Sequence, residues 1–367
     1  MTTSPPFIPT KEPSPSAMRR ILVFVMRHGE REDEVLDARE RNRLSPARRF
    51  DPALTPQGHR QALEAWKNLT QALSSAEPAP QRVAIFASPL RRVIGTAMMV
   101  ADAMSGSQCP WKVVVPSAVG STENALGKVP ANEEWNLSTT SMTSIPIVVW
   151  NGLCDCAAQI VHMGGHRTAF RTGFVTYAAT NQFRPETFSQ SPMATTWQEM
   201  RHTARQGIPE NRQSLSALPI QFWKADHTNQ QLEPMTPPLN VADESVLSTR
   251  THDPQVKQPL PFYLKDEPPV DQVVRVALQS GCDVCIVASH REEIRELYKY
   301  RCGPQTPRKR LDYCCIGIFE VFSRDTGSDN TISPLEWRLH DVLPYSAMTA
   351  DFVQDIIDAR NPESKNN

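Results

Sequence analysis

The stretch Ile21 to Glu30, Ile-Leu-Val-Phe-Val-Met-Arg-His-Gly-Glu, decides how this chain is read. Its first six residues are apolar and three of them are β-branched, a run too short for a buried helix and suited to a central strand covered on both faces. The run stops abruptly at Arg27-His28-Gly29-Glu30. In an open α/β sheet, ligands bind in the crevice beyond the carboxyl ends of the strands, so a strand here delivers an imidazole and a guanidinium to that crevice. Gly29 is read as letting the backbone turn sharply behind the histidine. Neutral imidazole is a good nucleophile towards phosphorus, and an adjacent arginine can fork two oxygens of a phosphoryl group. The plainer alternative is a solvated loop histidine, so the question is whether the rest of the chain supplies partners.

It repeats the pattern. Between Arg31 and Phe50 both charge signs are dense and apolar periodicity is absent, which predicts a loop or short solvated helix at the mouth of the crevice. Thr55 then reads as an N-cap with Pro56 at the first helical position, and Ala62, Ala65, Trp66, Leu69 and Leu73 predict a helix from Pro56 to Ser74. Val83 to Ala87 is a short strand. It leads through Ser88-Pro89-Leu90-Arg91-Arg92 into a second helix ending near Met104, so a guanidinium again appears where a strand ends. Arg91 and Arg92 are either surface charges in a first turn, where the helix dipole disfavours them, or one of them is there for a ligand. A phosphoryl dianion in a partly dry pocket needs more than one positive partner, and Arg92 can be the second.

Ile147 to Trp150 resumes strand character, and Asn151-Gly152-Leu153-Cys154-Asp155 turns out of it; an Asp in such a turn is by itself unremarked. Val270 to Gln279 predicts a helix ended by Gly281. Asp283 to Ala288 is a buried strand, and Ser289-His290 leaves it directly before a helix over Glu292 to Tyr300. A second histidine thus stands at a strand-to-helix switch, either as a cap or as a donor to an anion. Tyr313 to Phe322 and Leu335 to Val342 read as further strands, the latter near the sheet edge.

Composition narrows the class. The balance of 39 basic against 40 acidic residues provides no global field that would favour nucleic acid or a membrane surface. Prolines number 32, about 9% against a usual value near 5%, and they cluster, which predicts insertions at 116–146 and 181–265 with uncertain order. Thr196 to Arg205 reads as one short helix inside the second. Residues 1–17 read as a disordered tail, neither signal peptide nor membrane span, and position 2 is not the Gly that myristoylation requires. Residues 18–359 then form one domain and 360–367 a polar tail. Cys282 and Cys285 make a CxxC without a second such pair, so buried thiols are preferred to a zinc site. The expected setting is cytoplasmic.

Together the motifs Arg27-His28-Gly29-Glu30, Leu54-Thr55-Pro56-Gln57-Gly58, Ser88-Pro89-Leu90-Arg91-Arg92 with Thr96-Ala97, and Val287-Ala288-Ser289-His290 resemble the histidine phosphatase superfamily, the phosphoglycerate-mutase-like proteins. The resemblance implies an α/β fold, a three-layer αβα sandwich with a mostly parallel central sheet and long irregular insertions. It implies His28 as the phosphorylated nucleophile, with Arg27, Arg92 and His290 as the phosphate pocket. Asp155 stands where the family usually has a Glu as general acid, and Arg291 follows His290 where many members have a small residue. His28-Gly29-Glu30-Arg31 and Leu311-Asp312-Tyr313-Cys314-Cys315-Ile316-Gly317 are similar to the group that includes the TULA and ecdysteroid-phosphate phosphatases. The implied activity is hydrolysis of a small-molecule or protein phosphomonoester through phosphohistidine, with no metal or other cofactor. Mutase-type phosphoryl transfer and a catalytically weak phospho-ligand binding or scaffolding protein are the alternatives. No nucleic-acid or membrane partner is expected, and homodimerisation is left open.

Overall fold

A computed structural model of the protein describes residues 18–43, 52–88, 90–104, 109–116, 145–154, 220–226, 230–234, 258–260, 267–301, 311–324 and 334–360. Asp155, residues 1–17, most of 116–146, Thr196 to Arg205 and the tail from 361 lie outside them.

The strands are β1 (Met18–Arg27), β2 (Arg82–Ala87), β3 (Lys112–Val113), β4 (Ile145–Val149), β5 (Ile220–Asp226), β6 (Gln231–Pro234), β7 (Gln258–Pro259), β8 (Val284–Ser289), β9 (Ile316–Arg324) and β10 (Glu336–Leu343). They form one sheet ordered β10-β9-β1-β8-β2-β4-β5-β6-β7, with β3 beside β2. Strands β1, β8, β2, β4 and β5 run parallel, and the antiparallel pairs β9–β10 and β6–β7 flank them. The helices are α1 (Glu32–Val35), α2 (Ala38–Arg43), α3 (Pro56–Ser74), α4 (Arg91–Met104), α5 (Pro269–Gln279), α6 (Arg291–Glu296) and α7 (Ala350–Arg360).

The six apolar residues of β1 show why the sheet is buried on both sides. Leu22, Phe24 and Met26 join Trp66, Leu69, Val93 and Ile357 in one apolar layer, under α3, α4 and α7. Ile21, Val23 and Val25 join Val273, Val274, Ala277 and Ile294 in the other, under α5 and α6. Each such side chain contributes roughly 1.5–3 kcal/mol when removed from water, so an uninterrupted apolar run is stable only between two helical layers. The architecture is a three-layer αβα sandwich.

Thr55 caps α3, its Oγ1 accepting from the Gly58 amide at 2.9 Å, with Pro56 behind it. Gly281 ends the region after α5 with φ of +67°, a backbone that only glycine takes without strain. Among the described residues, the Cys282 and Cys285 thiols are unbridged and buried. Burial pushes Cys282 up to about 12 and Cys285 well above the ordinary thiol value, so neither is a reactive thiolate.

Several sequence expectations need correction. The segment 181–265, read as irregular, contributes β5, β6 and β7, and Phe222, Trp223 and Leu232 from it are buried. These strands are short and interrupted by charge and proline, and it is pairing on β4 that makes them strands. Helix α7 was not foreseen. Its Val353, Ile356 and Ile357 are helically spaced, but so short a helix is marginal alone and is held by packing on α3 and by the paired hydrogen bonds of Gln354 with the Glu77 backbone. The helix after His290 starts at Arg291 and passes into a π-helical turn over Leu297–Arg301. Gly29 does not have a positive φ; its role is a close backbone approach, developed below.

Candidate active site

Parallel register places the two histidines. Arg27 of β1 is the register partner of Ser289 of β8, and the His28 amide donates to the Ser289 carbonyl at 3.1 Å. One residue past that last pair, the rings of His28 and His290 approach to 5.6 Å between centroids at 67°. Strand β2 lies on the other side of β8, and the Ser88 amide donates to the Ala288 carbonyl at 3.1 Å. Ser88 Oγ lies 2.9 Å from His290 Nε2. The carboxyl ends of three adjacent parallel strands thus meet, as the crevice rule requires.

His290 occupies the N-cap position of α6 but makes no side-chain cap bond there; its ring goes to Ser88 instead. That answers the capping alternative. Arg291 is exposed and its guanidinium pairs with Glu292, so the departure from the family pattern at this position does not fill the crevice.

Arg92 enters from the first turn of α4 and is 6% exposed, against 9% for Arg27, 4% for His28 and 1% for His290. Its charge acts on both rings. The imidazolium form of His28 is disfavoured first by burial, then by Arg92, His290 and Arg27, and the ring is held well below its ordinary value. His290 is likewise held well below, by burial and then by Arg92, Arg31 and Arg27. Both rings are therefore neutral at neutral pH.

The tautomer of His28 follows from its partner. Nδ1 lies 2.8 Å from the Gly29 carbonyl oxygen, which can only accept, so Nδ1 carries the proton and Nε2 keeps its lone pair. Nε2 makes no hydrogen bond among the described residues. This is a neutral, oriented nucleophile between two arginines and a second imidazole. It suits attack on an electrophile carrying negative oxygens.

Residues outside the expected set build the frame. Thr96 Oγ1 accepts from the Gly29 amide at 3.0 Å and donates to the Arg92 carbonyl at 2.8 Å, tying the nucleophile loop to α4. Thr55 Oγ1 donates to Glu30 Oε1 at 2.7 Å, the Thr55 amide donates to the Glu30 carbonyl at 3.0 Å, and the Glu30 amide donates to Gln61 Oε1 at 3.0 Å. Tyr313 lies with the Arg27 guanidinium 4.1 Å above its ring centroid and its ring 6.0 Å from that of His28. Thr55 and Thr96 were visible in the sequence as a cap and as part of a motif. Tyr313 was visible only as part of the Leu311–Gly317 motif, with no role attached, because only the return of β9 beside β1 brings it to the crevice. Asp155 lies outside the described residues, four of the five expected site residues being brought together. Among the described residues no cluster of three His, Cys, Asp or Glu could hold a metal, and no helix is long and apolar enough to cross a membrane.

Residues 23–113, which carry Arg27, His28, Gly58, Arg92 and Thr96, match the model of the histidine phosphatase superfamily, branch 1. Comparison with curated proteins finds no match. Among solved structures, phosphoglycerate mutase from Bacillus anthracis str. Sterne aligns over 91% of this chain and 96% of its own, at 12% identity and a TM-score of 0.30. The superfamily match and the crevice together support phosphoryl-transfer chemistry in general.

Burial of neutral histidines also makes stability depend on acid. His59 of α3 is 3% exposed with Nδ1 unpartnered, and burial lowers it to about 4. His28, His59 and His290 all bind protons more readily unfolded than folded, so stability is full above the unfolded value near 6.5 and is lost as pH falls below it. For His59 alone the loss between pH 8 and pH 5 is about 2 kcal/mol. Urea unfolding at the two pH values should show the drop, and His59→Gln should make it smaller; equal midpoints at both pH values would contradict the burial of neutral rings.

Proposed function

We propose that the protein is a phosphatase that hydrolyses a phosphomonoester through a phosphohistidine. The observation that supports this most is the neutral His28 ring, proton fixed on Nδ1 by the Gly29 carbonyl and lone pair on Nε2, set among Arg27, Arg92 and His290. On this reading His28 Nε2 attacks phosphorus in line as the ester P–O bond breaks. Arg27, Arg92 and His290 hold the oxygens that share the developing charge. Asp155, in the role carried over from the family resemblance, gives its proton to the leaving oxygen. Water then attacks phosphorus, its proton passes to the Asp155 carboxylate, the P–N bond breaks, and His28 returns neutral. The partner is a phosphomonoester, small or protein-borne, and the proposed compartment is the cytoplasm; the TULA-like subgroup remains the nearest proposed relation.

A panel of aryl phosphate, phosphotyrosine peptide, sugar phosphates and phosphoglycerate tests the proposal by release of inorganic phosphate. Release from at least one member is expected, with Asp155→Asn slowing it by roughly a hundredfold to ten-thousandfold while phosphate binding persists. Phosphoryl transfer between acceptors without free phosphate would make the protein a mutase. Binding without either reaction would make it a phospho-ligand scaffold.

A further inference from the structure

A buried cation normally needs a paired carboxylate, and among the described residues none forms an ion pair with Arg27; Glu34 and Glu292 favour its charge only as weaker influences than burial. It is 9% exposed, and its guanidinium pKa is lowered, chiefly by burial. Among the described residues, its one side-chain hydrogen bond is from Nη1 to the Leu311 carbonyl at 2.6 Å, and Nε has no partner. Leaving a desolvated charge uncompensated is costly, and a carboxylate salt bridge is the usual remedy. At an anion site that remedy defeats the purpose, because the carboxylate occupies the same donors the phosphoryl oxygens would use.

The segment Leu311–Cys315 offers a different solution. Its C-terminal end is pinned twice to the nucleophile strand: the Arg27 amide donates to the Cys315 carbonyl at 3.0 Å and the Cys314 amide to the His28 carbonyl at 3.2 Å. Cys314 has φ of +54°, a left-handed kink directly after Tyr313. Directly before these anchors, the Tyr313 ring lies under the Arg27 guanidinium, 4.1 Å from its centroid to the guanidinium carbon. An aromatic face attracts a cation through its quadrupole, more strongly when both are desolvated. Because the ring takes the place of a carboxylate, the N–H donors other than the one held by the Leu311 carbonyl stay available to an anion. The Tyr313 hydroxyl is itself buried without a hydrogen-bond partner, so the ring, and not the hydroxyl, carries the effect.

Building on the phosphatase reading, we propose that Tyr313 is a positioning residue that holds the buried Arg27 guanidinium against an aromatic face in place of a carboxylate, so that its remaining N–H donors can fork a bound phosphoryl group. The residue lies outside the segment matching the superfamily model.

The test is calorimetric binding of inorganic phosphate by the full chain, alongside steady-state kinetics on an aryl phosphate. Tyr313→Phe keeps the ring and should bind phosphate within about twofold of wild type. Tyr313→Leu should weaken phosphate binding about tenfold and raise KM by a similar factor, with kcat changed less and the unfolding midpoint little moved. Should Tyr313→Leu not fold, Tyr313→Met, of similar reach, takes its place. Phosphate affinity unchanged in the Leu or Met variant, or lost equally in the Phe variant, overturns the proposal, as does a wild-type chain that binds no phosphate. Wild-type phosphate binding that depends on the ring, in a chain that hydrolyses nothing, would uphold the positioning role and overturn only the phosphatase reading.

Discussion

His28→Ala is expected to lower turnover of any phosphomonoester by at least about ten-thousandfold while phosphate still binds. The size follows from the ring's position as the nucleophile itself, with nothing nearby to replace it: the other imidazole, His290, has its Nε2 against Ser88 Oγ. The fold should survive, because the bonds that place residue 28 come from the backbone, its amide to the Ser289 carbonyl and its carbonyl from the Cys314 amide. Anion binding should survive as well. A neutral ring contributes no charge to the pocket, and Arg27, Arg92 and His290 remain. Wild-type enzyme quenched in acid during turnover of labelled substrate should carry acid-labile phosphate on His28. An unlabelled wild-type chain under turnover, or a His28→Ala chain that still turns over, would defeat the mechanism.

The second large effect is expected at Gly58, which carries no side chain. A Cβ built there would lie 2.3 Å from the Glu30 carbonyl oxygen and 2.8 Å from the Glu30 amide nitrogen, and one on Gly29 would lie 2.4 Å from the Gly58 carbonyl oxygen. Both obstacles are backbone, which cannot swing aside. Gly58→Ala gains up to about 1 kcal/mol of helix propensity in α3. Against this, the start of α3 must withdraw from the nucleophile loop, straining the Thr55–Glu30 and Glu30–Gln61 bonds. Overpacking of about 1–3 kcal/mol plus about 1 kcal/mol for each weakened bond wins, giving a net destabilisation near 3 kcal/mol and a marked fall in turnover. Gly95→Ala is the control. Its Cβ would lie 3.1 Å from the Leu54 Cδ1 methyl, a side-chain end that can yield, and at ordinary contact distance from Leu54 Cγ and His59 Cε1, so this variant should be close to neutral. Equal unfolding midpoints for the two variants would refute the close-approach argument.

The Gly29–Gly58 contact also shows how sequence and structure divide the explanation. From the residues alone Gly29 looked like a turn glycine, a local property of φ. Its requirement is instead a contact between two backbones separated by nearly thirty positions, which no local pattern encodes. The same holds for Tyr313. By contrast, α3, α4, β1, β2 and β8 were legible because their signals are local: an apolar run, a cap with proline behind it, a helical repeat.

Strands β5 to β7 and helix α7 were illegible for the complementary reason. Their residues have weak preferences, and the conformation is set by neighbours already in place, β4 for the strands and α3 for the helix.

What the sequence by itself determined is the chemistry available at strand ends: His28 after β1, Arg92 after β2, His290 after β8. Unbroken apolar runs of strand length dictate a doubly covered parallel sheet, and such a sheet gathers strand ends on one edge. What only the tertiary structure decided is the state of those groups. Burial and the mutual repulsion of Arg27, Arg92 and the two rings make the imidazoles neutral, and the Gly29 carbonyl chooses which nitrogen holds the proton. Electrostatics in a dry crevice depend on distances between residues far apart in the chain, and those distances exist only once the sheet has formed.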